Sequence, residues 1–130
     1  MDDVFVGSVM STALQTVTPD TLVEDAAGQM LDHDIGSVVV VDESGGPVGI
    51  LTSTDFVRIV AERQPKDQTP VERYMSTGLV TATAQDTVEA VADRMLEHGV
   101  HHIPVVDDGD LIGILSSTDM ASYLAHDRRP

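Results

Sequence analysis

The sequence predicts an α+β fold, with α/β character, in which one βαββα unit is built twice, and three observations carry that expectation. The heptad Gly49-Ile-Leu-Thr-Ser-Thr-Asp55 returns as Gly113-Ile-Leu-Ser-Ser-Thr-Asp119, with a single Thr-to-Ser difference. Residues Thr18 to Asp42 lie over Thr83 to Asp107 at a constant offset of 65. The hydrophobic period changes in the same order in both stretches, from a short extended run to a helical stripe to paired β-branched runs.

Each unit opens with a short extended segment, Leu14 to Thr18 and Leu79 to Thr83. A helix follows, because Val23, Ala26, Ala27, Met30 and Leu31 keep the i, i+3, i+4, i+7, i+8 spacing, as do Val88, Val91, Ala92, Met95 and Leu96. Thr21 with Glu24, and Asp86 with Glu89, have the spacing of a capping box, while Asp34 and Gly99 stand where a left-handed terminator is expected. Val38 to Val41 and Val48 to Leu51 read as a hairpin across a Gly-rich turn, repeated by Ile103 to Val106 and Leu111 to Leu115. The first turn is one residue longer, so the offset drops to 64 at the heptads. Each heptad feeds a second helix, carrying Phe56, Val57, Ile59 and Val60 or Met120, Ala121, Tyr123 and Leu124. These limits divide the chain into a first repeat over 1–64, a linker and lead-in over 65–73 around Pro65 and Pro70, and a second repeat over 74–130 whose last residues form a frayed tail.

Composition bounds the function. The 130 residues carry a formal net charge of -15, with seven basic residues among 22 acidic ones, which excludes a nucleic-acid partner that would need clustered Lys and Arg. Lys66 is the sole lysine and most acids are Asp, a pattern that resembles proteins of salt-loving archaea; a merely acidic protein is the other reading. No run reaches the roughly 18 apolar residues of a membrane span, and Met1-Asp2-Asp3 lacks the basic start of a signal peptide. Cys is absent, which removes disulfides and thiolate chemistry, and a cytoplasmic protein is the expectation. With no activated nucleophile, paired carboxylates or phosphate-binding Gly loop, an enzyme is not expected.

The ordered set Val9-Met-Ser-Thr12, Val40-Val-Asp42 and Gly49 to Asp55, with its partners Tyr74-Met-Ser-Thr77, Pro104-Val-Val-Asp107 and Gly113 to Asp119, resembles a tandem pair of cystathionine-β-synthase (CBS) motifs, the Bateman module. The resemblance covers about residues 6 to 126. It implies two repeats packed through their sheets about a pseudo-twofold axis, two clefts that bind adenosine-containing ligands, and a homodimer forming a four-CBS disc.

The residues suit a nucleoside. A carboxylate accepts from two adjacent ribose hydroxyls at once, and Asp55 and Asp119 each stand near a helix start, where the dipole favours negative charge. A carboxylate that only caps its helix fits the same position. Thr52, Ser53, Thr54 and Ser116, Ser117, Thr118 bring hydroxyls and backbone N–H groups that suit phosphate oxygens, or simply cap. The resemblance implies that Ile35, Gly36 and Ser37, and Val100, His101, His102, Ile103 and Pro104, line the base and phosphate region, with Thr18 and Thr83 as further polar contacts. Because Gly36-Ser37 corresponds to His101-His102, which can donate to phosphate, the second site is the sharper expectation, the Asp55 site the weaker. His98 and His102 have a metal-like i, i+4 spacing, but Gly99 ends the helix between them, so no metal site is expected. Arg58, Arg73 and Arg94 are the candidate cations for a ligand once the chain folds.

The expected function is thus a regulatory module that needs no cofactor, senses AMP or another adenosine derivative, S-adenosylmethionine included, and signals to an effector protein in trans. A protein-protein scaffold with vestigial clefts is the alternative.

Overall fold

A computed structural model describes residues 3–62 and 68–126. The expected linker around Pro65 and residues 127–130 of the expected tail lie outside them. The chain forms two compact units: Gln15–Leu79 is one, and the residues up to Leu14 join those from Val80 onward in the other. The compact units therefore differ from the linear repeats, because the N-terminal segment packs with the second half of the chain.

The Gln15–Leu79 unit contains β1 (Thr16–Val17), α1 (Val23–His33), β2 (Ser37–Val41), β3 (Pro47–Thr52) and α2 (Ser53–Ala61). Its three strands are ordered β1-β2-β3, with β1 parallel to β2 and β2 antiparallel to β3. Val38 and Val40 pack with Leu51, Ile59, Val23, Ala26, Met30 and Val71, and Val39, which alternates to the other face, is buried as well, which explains why β2 reads as continuous Val rather than as an alternation. The expected βαββα order is present here in full.

The other unit contains α3 (Val88–His98), β4 (His102–Asp107), β5 (Asp110–Ser116) and α4 (Ser117–His126). Its core joins Val91, Met95, Ile103, Val105 and Leu115 to Val6 from the N-terminal segment. The expected lead-in strand at Leu79 to Thr83 is reduced to one parallel bridge, Ala82 with Val105. Ala82 still donates to the Pro104 carbonyl at 3.0 Å and accepts from Val106 at 2.8 Å. Pro104 stands where β2 has Val39, and lacking an N–H it cannot extend the ladder.

The helix limits depart from expectation at one end and agree at the other. Neither expected capping box forms. The N-cap of α1 is Leu22, without a side-chain bond, and that of α3 is Thr87, whose hydroxyl accepts from the Ala90 N–H. Thr21 and Asp86 instead accept from the N–H groups of Thr18 and Thr83, closing the turns before the helices. Asp34 and Gly99 are both left-handed, with φ of 52° and 64°.

The two heptads open on Gly for a steric reason. A Cβ at Gly49 would stand 2.5 Å from the Met75 sulfur, and one at Gly113 2.6 Å from the Met10 sulfur. The repeated Met-Ser-Thr segments therefore cross their hairpins at the first two heptad residues, with Met against the Gly and with Ser76 bridging Ile50 and Ser11 bridging Ile114.

Candidate functional site

Hairpin register gathers the residues around Asp119. In the β4–β5 pair His102 lies opposite Ser116, so the segment before β4 and the start of α4 share one end of the sheet. The Ser117 N–H donates to the His101 carbonyl at 2.9 Å and locks the two together. Ser116 and Asp119 cap each other: the Ser116 N–H donates to Asp119 Oδ2 at 2.9 Å, and the Asp119 N–H to Ser116 Oγ at 3.0 Å. The Ser11 hydroxyl donates to Oδ1 at 3.0 Å. The Asp119 carboxylate, half-buried, remains partly open to solvent. Its fixed oxygens retain lone pairs for further donors.

His102 is half-buried, whereas His101 is exposed. Burial holds the His102 imidazole below the ordinary value of 6.5, the charge of His101 adds to this, and Asp119 opposes both. His102 therefore offers a neutral imidazole at neutral pH, not the imidazolium that would bind phosphate most strongly.

The Asp55 turn repeats the backbone and alters the side-chain chemistry. Ser37 lies opposite Thr52, and the Ser53 N–H donates to the Gly36 carbonyl at 3.0 Å. Asp55 Oδ2 accepts from the Thr52 N–H at 2.8 Å and from its hydroxyl at 3.2 Å. Oδ1 is 3.2 Å from Arg58 Nη1. With 6% of its surface exposed, Asp55 is buried, satisfied and ion-paired. Ser122 occupies the position that corresponds to Arg58 in α4.

The structure thus brings Ile35, Gly36 and Ser37 to the turn of Thr52, Ser53, Thr54 and Asp55, and Val100, His101 and His102 to that of Ser116, Ser117, Thr118 and Asp119. Ile103 and Pro104 are buried, and Ile103 belongs to the core. Within its own unit, neither Thr18 nor Thr83 lies beside the heptad turn. Val17 pairs with Val40 and Ala82 with Val105, so both threonines lie toward the far ends of β2 and β4. At about 3.3 Å per residue, that is roughly 13 Å from Ser37 or His102. Of the arginines, Arg58 reaches a candidate turn, but Arg94 pairs with Asp86 at 2.9 Å and with the Thr81 carbonyl. The α3 helix ends at His98, so His98 and His102 share no helical face, and among the described residues no three His, Cys, Asp or Glu gather to hold a metal. Ser11 was missing from the sequence-based site; the repeated Met-Ser-Thr segment was its one available signal.

The CBS domain family pattern matches residues 6–62 and 71–126. The CBS domain-containing protein YhcV of Bacillus subtilis is 34% identical over 89% of this chain and 82% of its own length. The CBS domain pair of protein MJ0100, solved in complex with 5-methylthioadenosine and S-adenosyl-L-methionine, superposes with a TM-score of 0.88 at 27% identity, covering 98% of this chain and 100% of that one. CBSX2 in complex with AMP gives 0.80 at 26% identity, covering 96% and 99%.

Proposed function

This chain belongs to the CBS domain family, and we propose that it is a regulatory module that binds an adenosine-containing ligand at the turn carrying Asp119. The observation that carries the reading is the half-open Asp119 carboxylate, fixed by Ser116 and Ser11 beside His101 and His102. Ribose hydroxyls donate to that carboxylate, and the neutral His102 ring and the α4 hydroxyls serve the remaining polar groups. Similar CBS pairs were solved with AMP or with S-adenosylmethionine and methylthioadenosine, which supports an adenosine ligand.

The net charge of -15 and a neutral His102 both disfavour a heavily charged ligand. AMP, adenosine or S-adenosylmethionine therefore binds better than ATP, most clearly in the high salt that an Asp-rich surface suits. Binding shifts a pre-existing equilibrium that an effector protein reads in trans, in the cytoplasm, and the chain acts as a homodimer without catalysis.

A scaffold role is the second reading, favoured by large apolar side chains left exposed on the helices: Leu31, Leu96, Val57, Val60 and Leu124. Thermal denaturation against adenosine, AMP, S-adenosylmethionine and ATP in high salt separates the two. A ligand at about 100 times its Kd adds roughly 2.7 kcal/mol of stability. That shift is expected for the less anionic compounds and is lost in Asp119→Ala. No shift with any of them, in a protein that sediments as a dimer, supports the scaffold.

A further inference from the structure

We infer that Arg58 is a specificity-determining residue: it occupies the Asp55 carboxylate, excludes a nucleoside from that turn, and so confines adenosine to the Asp119 turn. The inference rests on the adenosine-binding reading above. The two heptads differ by one hydroxyl-for-hydroxyl change, and the two helices start with the same carboxylate-to-backbone bond, 2.8 Å from Thr52 and 2.9 Å from Ser116. What differs is the other oxygen. Asp55 Oδ1 faces the Arg58 guanidinium at 3.2 Å, whereas Asp119 Oδ1 faces the neutral Ser11 hydroxyl at 3.0 Å. Asp55 is buried and Asp119 half-buried.

A diol approaching Asp55 must displace a charged donor and receives in exchange an acceptor whose charge is already balanced. A diol approaching Asp119 meets an uncompensated carboxylate and displaces at most a neutral hydroxyl. Arg58 lies one helical turn beyond Asp55, where i, i+3 side chains meet, and Ser122 is too short to act likewise on Asp119. Arg58 is itself 67% exposed, so its replacement leaves the core untouched.

Adenosine is the probe, because it carries no charge and its attraction to the protein is not altered by removing a cation. Titration calorimetry in high salt is expected to give one adenosine per wild-type chain, retained in Asp55→Ala and lost in Asp119→Ala. Arg58→Ser is expected to bind two, returning to one in Arg58→Ser combined with Asp55→Ala, and Arg58→Lys, which keeps the charge, stays at one. Ser122→Arg is expected to weaken wild-type binding at least tenfold. One adenosine in both wild type and Arg58→Ser, or two in the wild type, overturns the role of Arg58 while leaving the adenosine reading intact. No adenosine binding by wild type or any variant overturns both.

Discussion

Asp55 and Asp119 are the same residue in the same heptad, yet their surroundings give them different chemistry. The carboxylate near a helix start was legible from the repeat, and Arg58 stands at i+3 from Asp55, but the partner of Asp119 was not legible, because Ser11 reaches it from a segment more than a hundred residues away. Gly113 is constrained in the same long-range way. Gly113→Ala is expected to destabilise the fold by about 1–3 kcal/mol, since the added Cβ meets the Met10 sulfur and, at 3.1 Å, the Ser11 carbonyl. Urea denaturation measures this, and Gly28→Ala, where nothing lies within 4 Å, is the control and should not destabilise. His102 supplies a pH dependence. Its folded pKa lies below 6.5, so the unfolded chain takes up the proton first. The stability it contributes is complete above about 6.5 and falls as pH drops from there through the folded value. Denaturation midpoints between pH 7 and 5 should therefore fall less steeply in His102→Gln than in the wild type.

At the scale of elements, periodicity located α1 to α4 and both hairpins, because each depends on local spacing of apolar residues, whereas the short 3-10 turns at Val6–Ser8 and Val71–Arg73 carry no such period. Caps were less legible. Thr21 and Asp86 have N-cap chemistry, but each closes the preceding turn, and α3 takes its cap from Thr87. Thr87→Ala should cost about 1 kcal/mol, read by urea denaturation, through the lost bond to the Ala90 N–H. The apolar stripes were wider than the core requires. Leu31 and Leu96, both expected inward, are 81% and 83% exposed, because α1 and α3 already meet their sheets through Met30 and Met95. Pro104 marked the loss of the lead-in strand in the second half, a signal that the repeat pattern masked.

At the scale of the molecule, the N-terminal segment completes the unit that begins again at Val80. Val6 is fully buried there, and its N–H donates to the Asp86 carbonyl at 2.8 Å. Val71 plays the matching part in the other unit, donating to the Thr21 carbonyl. Val6→Ala should cost roughly 2 kcal/mol, measured by chemical denaturation, a value typical of fully burying a Val. It should also lower hydrogen-exchange protection in β4 and β5 rather than in β2 and β3. The charge of -15 acts on the whole chain. Raising salt from about 0.1 M to 1 M shortens the screening length from roughly 10 Å to 3 Å and should raise Tm; an unchanged Tm would count against a salt-adapted surface. The sequence by itself determined the βαββα order of the first half, the helices and hairpin of the second, and the heptad turn, because each is written in the spacing of neighbouring residues. Only the tertiary structure decided that Ser11 serves Asp119 and that the N-terminal segment completes the unit that resumes at Val80, because long-range packing, not local spacing, sets those contacts.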